Sequence, residues 1–364
     1  MNCITQNTEV ETSSVSSEGL LNYGLGISTD LRFLNFANRT FETGAVRLSA
    51  EGGDLYTPGQ KPDLWSYRLG IKEPLSLNPY FKENADKPTD SYIIRQSVNG
   101  ELVLDFEQIK ASAMCYVLLI VEPGLDLRIV EKNSVKDYSG LILDLILGDN
   151  SRLEYSVLQN TSEQSTSMTL RMFSVGDQAD LRLIDMQTGG KLSLTNNWIR
   201  LAGFCSRGEI HSGFFGNKSQ QFDVYNVVEH AAPSTVSRML GKGALDDSAQ
   251  AIYRGLIRIH PGSENADGSQ KEDTLLLSSK ARISSVPDLE IAHHKVKCSH
   301  AVSTSRIDKE KLFFMNARGI ETPEAISALV EGHFSPVVDH CLNAELRQNI
   351  EKSIKEKLKR WQAR

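Results

Sequence analysis

Cysteine pairs at redox or metal-finger spacing are missing from this chain. The five cysteines, Cys3, Cys115, Cys205, Cys298 and Cys341, are odd in number and far apart. That argues against a disulfide framework and against a self-contained four-cysteine metal site. Long hydrophobic runs are missing too. The most apolar stretch, Met114 to Val121, stops at Glu122-Pro123-Gly124. It has the length of a strand and falls well short of the ~20 residues that cross a bilayer. There is no excess of positive charge: 40 Lys and Arg stand against 46 Asp and Glu, a net charge of −6. Such a chain has no general field for a phosphate backbone, so neither nucleic acid nor a membrane is an expected partner. The first residues, Met1-Asn2-Cys3-Ile4-Thr5-Gln6, lack a basic n-region and an apolar core, which leads to the expectation of a cytoplasmic protein. Catalytic signatures are absent as well. Gly189-Gly190-Lys191-Leu192-Ser193 is the nearest approach to a P-loop, and it lacks the upstream glycine and the adjacent hydroxyl. No GxSxG elbow and no HExxH occurs.

What is present has the composition of a folded globular chain, 40% hydrophobic and 24% charged over 364 residues. Residues 1–95 read as an irregular mixed region, with Ser13 to Ser17 as a solvated arm. Residues 96–306 change texture. Short runs such as Leu102–Phe106, Leu141–Leu147, Leu153–Leu158, Met168–Phe173 and Phe222–Val227 alternate apolar and polar positions. They are separated by Gly, Asn, Asp and Ser. This period of two predicts strands with one face in a core and the other in water. Almost no helix-period segment interrupts them, which excludes Rossmann and TIM-barrel folds. Sandwich, barrel or propeller, and solenoid remain. Asn-Gly, the tight-hairpin dipeptide, occurs once, at Asn99-Gly100, and its scarcity leans toward a β-helix.

Residues 307–364 read as a small helical domain. A first helix covers Asp308 to Arg318 and ends at Gly319. A second opens with Thr322 as N-cap and Pro323 at the first helical position. A third runs from about Asn343, with Leu342, Leu346, Ile350, Ile354 and Leu358 as an apolar stripe and lysines in its last turns.

The chemistry-bearing residues gather late in the chain: Glu290, His293, His294, Cys298 and His300. Cys298 and His300 are two apart, so in a strand they share one face, about 7 Å apart. A thiolate and an imidazole on one face suit a soft metal or cluster. The plainer alternative is a core cysteine beside surface histidines. His230 and His260 stand alone and read as structural.

Several blocks then resemble one family. His230-Ala231-Ala232-Pro233-Ser234-Thr235 resembles H-x-A-P-x-T, and Tyr253–Ile259 resembles [FY]-R-G-x-I-x-V. Leu275–Ser278 resembles LLLS, Pro287–Ile291 resembles P-x-L-E-I, and Val296–His300 matches V-x-C-S-H. Ser305–Asp308 is similar to G-R-I-D, and Leu312–Ile320 is similar to LFYLxSRGI. Trp65-Ser66-Tyr67 resembles a W-R-Y element. In this order the blocks resemble those of the SufB/SufD family of iron–sulfur cluster assembly scaffold proteins.

The resemblance implies a right-handed parallel β-helix closed by a C-terminal helical domain. It implies a non-ATPase subunit that pairs with a paralogue through the β-helix and binds the ATPase SufC through its helices. Phe313, Phe314, Arg318, Ile326, Leu329 and Phe334 are the candidate docking residues. SufB carries a functional cysteine in the loop before the strand equivalent to Thr274–Leu277; here that segment, Gly268 to Asp273, has none. Cys298-Ser299-His300 is the SufD-type form, so the chain is most like SufD. By position His300 inherits the role of candidate iron or cluster ligand, with Cys298 beside it, while Ala301 departs from the usual glycine. The expected cargo is a transient iron–sulfur cluster in the complex, with nothing tightly bound to the isolated chain. A SufB-like scaffold acting as a homodimer is the alternative. A β-helix carbohydrate-active enzyme is the other; it would need aligned carboxylates, and Asp246-Asp247 is a candidate pair whose adjacent members would point to opposite faces of a strand.

Overall fold

A computed structural model describes residues 44–57, 60, 88–108 and 110–362, preceded by three short strands. These are β1 (Ser14–Val15), β2 (Leu20–Asn22) and β3 (Ser28–Asp30), a small antiparallel sheet. Part of the expected solvated arm thus lies in β1, and Trp65-Ser66-Tyr67 lies outside the described residues.

The body is a parallel β-solenoid of eight turns, each contributing one strand to each of two sheets. One sheet holds β6 (Asp90–Gln96), β8 (Ser112–Val121), β10 (Tyr138–Leu147), β12 (Thr166–Val175), β14 (Leu192–Leu201), β16 (Gln221–His230), β18 (Gln250–Ile259) and β20 (Arg282–Ile291). The other holds β7 (Gly100–Gln108), β9 (Asp126–Ser134), β11 (Arg152–Gln159), β13 (Asp180–Gln187), β15 (Arg207–Gly216), β17 (Val236–Leu245), β19 (Asp267–Leu276) and β21 (Lys297–Arg306). At the first end, β4 (Val46–Glu51) and β5 (Asp54–Tyr56) pair antiparallel with β7 and β6 and cap both sheets. Strand structure therefore starts well inside the region read as irregular. Asn99-Gly100 is no hairpin: it turns the chain from β6 in one sheet to β7 in the other.

The register explains the core. Leu143 faces Arg171, then Asn197, Asn226, Gly255 and Pro287 across successive strands. Tyr155 likewise leads through Leu183, Ile210, Met239 and Gln270 to His300. The expectation of one wet face per strand fails in the middle of the solenoid. Strands β8, β10, β12 and β14 are buried almost throughout, including Met172 and Trp198 on the outward face. Parallel sheets are usually covered on both faces, and the runs are correspondingly apolar.

Corners use left-handed residues that are not glycine, among them Asn150, Gln178, Cys205, Ser234 and Asn265, with φ between 54° and 62°. Each N–H donates to a carbonyl of the next turn: Asn150 to Asp177, Gln178 to Phe204, Cys205 to Pro233, Ser234 to Glu264 and Asn265 to Lys295. The ladder bond offsets a conformation that costs any L-residue energy.

Three helices follow: α1 (Lys309–Asn316), α2 (Thr322–Val338) and α3 (Ala344–Gln362). Asp308 caps α1 through the N–H groups of Glu310 and Lys311, and Gly319 turns out at φ 83°. The cap of α2 is Glu321, not Thr322, and it makes no side-chain cap bond; the Thr322 hydroxyl instead meets the Asn316 amide. Asn343 Oδ1 caps α3 through the Leu346 N–H. The helices share one core with the outward face of the second sheet: Val330, Phe334, Ile350 and Ile354 pack with Ile184, Met186, Phe215 and Ala244. Leu342, read as part of the α3 stripe, is exposed.

Candidate functional site

Among the described residues, no further strand covers the last turn of the solenoid. Strands β20 and β21 are the terminal strands of the two sheets, at the same end. Every residue of β21 is exposed except Cys298, which is half-buried. Ile291 and Val302 are apolar and open here, 47% and 41% exposed. A full-length strand edge of this kind offers a row of unpaired N–H and C=O groups.

Cys298 and His300 stand on β21, facing Gly268 and Gln270 of β19. Cys298 packs against the solenoid core, so the pleat turns His300 toward the interior side of the same end. Burial, the largest influence, holds the Cys298 thiol above its ordinary pKa. The segment Gly268 to Asp273, read as a loop, is the body of β19. Its inward residues make a polar floor under the last turn. Gln270 Nε2 donates to the Asp288 carbonyl at 3.1 Å, and the Ser285 hydroxyl donates to Glu272 Oε2 at 3.0 Å. The Thr274 hydroxyl donates to Glu272 Oε1. Nothing in the sequence singled out Glu272; only the register of β19 under β21 brings it to this end.

A thiol and an imidazole on one face are donors that iron accepts. Two are too few to hold it, and among the described residues no three His, Cys, Asp or Glu side chains stand close enough to bind a metal. Further donors would have to come from a second chain.

The other histidines separate by environment. His230 is fully buried, and Thr235 donates its hydroxyl to the Ala232 carbonyl at 3.1 Å. The Thr235 oxygen therefore accepts from His230 Nδ1 at 2.7 Å, which leaves Nε2 to accept from Ser237 at 2.8 Å. Burial pushes the imidazole down to about 4. The first motif block is thus a corner lock, as a structural histidine requires. A side chain at Gly268 would crowd it, since a Cβ there would lie 3.2 Å from His230 Nε2. His293 and His294 stack on each other at the corner before β21, with ring centroids 5.0 Å apart. Asp246 and Asp247 sit at a corner, where Asp247 accepts from the Lys218 N–H; they form no aligned acid pair.

The candidate docking residues divide. Phe313 and Phe314 on α1 are 75% and 57% exposed, and the Arg318 guanidinium lies 3.4 Å from the Phe314 ring centre. Leu329 is half-buried, while Ile326 and Phe334 are core residues of the helix–sheet contact. No described helix is long and apolar enough to cross a membrane.

Comparison with known proteins points to one family. Residues 106–333 match the family model "SUF system FeS cluster assembly, SufBD core domain". The chain is 28% identical over 245 residues to "Protein ABCI7, chloroplastic" of Arabidopsis thaliana, covering 66% of this chain and 52% of that one. It is 26% identical over 228 residues to the Arabidopsis SufBD family protein ABCI8, covering 59% and 41%. To the iron–sulfur cluster assembly SufBD family protein of Staphylococcus epidermidis it is 24% identical over 256 residues, covering 69% and 53%. The chain spans about half the length of these relatives. With the family model covering most of its solenoid and reaching into α2, the chain belongs to the SufBD family of iron–sulfur cluster assembly proteins.

Proposed function

We propose that this chain is a SufD-like, non-ATPase scaffold subunit working in the cytoplasm. It pairs with a SufB-type paralogue through the open end of its solenoid and holds a SufC-type ATPase at its helices. The observation that carries the reading is the uncovered last turn. A finished solenoid hides its end, whereas this one leaves a strand edge, two apolar side chains, a thiol and an imidazole together. Such an edge is a template for strand addition by a sister chain. A seam built there would put the partner's donors beside His300 and Cys298, and so complete a ligand set that one chain cannot supply. The cluster is cargo, assembled at the seam and passed on.

The helical side supports the second contact. Phe313 and Phe314 contribute nothing to the core, and exposed aromatics beside an arginine are typical of binding hot spots. No P-loop is present, so hydrolysis would belong to the ATPase partner. The isolated chain is expected to turn over no ATP above background.

The test is to purify the chain anaerobically with a SufB-type and a SufC-type subunit and measure iron and sulfide. His300→Ala is expected to leave stoichiometry and melting temperature unchanged, because the side chain is exposed, and to lower both elements. A correctly assembled His300→Ala complex with wild-type iron and sulfide would reject the ligand role.

A further inference from the structure

We propose that Glu272 is a further residue of the His300 site, a carboxylate that ligates divalent iron arriving at the open end of the solenoid. The inference rests on the reading of that end as a cluster-handling surface.

Two other buried acids that face the solenoid interior, Glu131 and Asp185, share a cation. Glu131 takes two bonds from Arg171, at 2.8 and 2.7 Å, and Asp185 lies 3.7 Å from the same guanidinium. Glu272 is as buried as these, at 2% exposure, yet its bonding partners are the hydroxyls of Thr274 and Ser285. Lys242 lies on the other face of the sheet, where it pairs with Asp273 at 2.7 Å. A carboxylate withdrawn from water without a cation is costly, and more so in a core that could have held an apolar residue. A group kept at that cost one strand from an open end is placed to meet a cation that comes and goes.

The register supplies the geometry. Gln270 pairs with His300 and Glu272 with Val302. Glu272 and His300 are therefore diagonal neighbours on one face of adjacent strands, about 7–8 Å apart at Cα and within mutual reach of long side chains. Carboxylate with imidazole is a donor set suited to divalent iron. The two hydroxyls that orient the Glu272 carboxylate are the kind of outer partners that fix a ligand's direction.

Co(II), read by its visible absorption, is the probe, titrated anaerobically into the assembled complex. Glu272→Gln keeps the shape and removes the charge; one hydroxyl still donates to the amide oxygen and the other turns to accept from the amide N–H. It is expected to weaken Co(II) binding by on the order of tenfold or more, with stoichiometry intact, as His300→Ala does. Wild-type affinity in Glu272→Gln alongside a loss in His300→Ala would overturn the inference and leave the reading of the site standing. No Co(II) binding by the wild type, or equal binding by all three proteins, would overturn both. If Glu272→Gln fails to assemble, Glu272→Asp decides. A carboxylate drawn back by one methylene changes the Co(II) spectrum if it is a ligand; an unchanged spectrum overturns the inference.

Discussion

Single residues in this chain show how burial decides the role of a charge. Arg171 is 2% exposed and lies between Glu131 and Asp185, with Tyr155 also donating to Glu131 and Asn197 donating to Asp185. Burial pushes the Glu131 carboxyl up, and Arg171 together with the hydrogen bonds from Tyr155 and Asn133 more than offsets this, so Glu131 is held below its ordinary range. Removing the cation alone leaves buried carboxylates unpaired, a loss of about 3–5 kcal/mol. Arg171→Met is therefore expected to lower denaturant-unfolding stability by about that amount, and Glu131→Gln in the same chain to restore part of it. A change within experimental error in Arg171→Met would contradict the network as described. His333 gives a second test. Its Nε2 is 3.0 Å from the Gly243 carbonyl and 3.1 Å from that of Asp273, so this nitrogen carries the proton and donates to both. Burial, then nearby Lys242, pushes its pKa down to about 4. A base whose folded pKa is depressed contributes full stability above its unfolded value of about 6.5. The contribution is lost as the pH falls from there toward 4, because the unfolded chain takes up the proton first. His333→Gln keeps an amide donor without the titration. Wild type is expected to lose about 1.4 kcal/mol per pH unit more than this variant in that window. Parallel stability–pH curves would show that His333 is not buried neutral.

Elements differ in how far their sequences announce them. The strands were legible from period two, and the seven motif blocks fall on strands, corners and helix ends late in the chain. The His230 block proved to be a corner lock, and the segment before Thr274 proved to be strand. What stayed hidden has physical causes. The left-handed corners at Asn150, Gln178, Cys205, Ser234 and Asn265 carry no glycine, because a bond from the next turn supplies what local sequence does not. Glu272 could not be connected with His300 without the register, since a full coil of the chain, from β19 through β20 to β21, lies between them. The helices were legible one by one from their apolar spacing, but not their dependence on the sheet. Deleting residues from 308 onward would expose Ile184, Met186, Phe215 and Ala244, so the truncated body is expected to aggregate rather than report on binding. Helix α1 offers a cleaner test, since it has no buried residue. Phe313→Ser with Phe314→Ser is expected to leave the melting temperature within about 2 °C, in line with exposed positions, and to abolish pull-down of a SufC-type ATPase. Retained pull-down would move the contact elsewhere on the helices.

At the scale of the whole molecule, the two ends of the solenoid are treated differently. At the first end, β4 and β5 turn back antiparallel and pair with β7 and β6, so the parallel ladder is closed by strands that end it. At the last end no described strand does this. The two edges there are unequal as well. Strand β20 carries Pro287 in its middle, which removes one N–H from its ladder, whereas β21 has no proline and offers an uninterrupted backbone. Strand addition should therefore begin on β21. In the absence of a paralogue, the commonest way to satisfy one exposed edge is a two-fold pair of identical edges. The chain expressed alone is expected to run as a dimer in light scattering, and as a one-to-one heterodimer when a SufB-type chain is supplied. Ile291→Lys with Val302→Lys places like charges where two copies would meet and leaves the rest of the solenoid untouched, because both side chains are already open to water. That variant should be a monomer with an unchanged melting curve. If wild type is a monomer both alone and with its paralogue, the last turn is simply an exposed end, and the donors on β21 have no second chain to complete them.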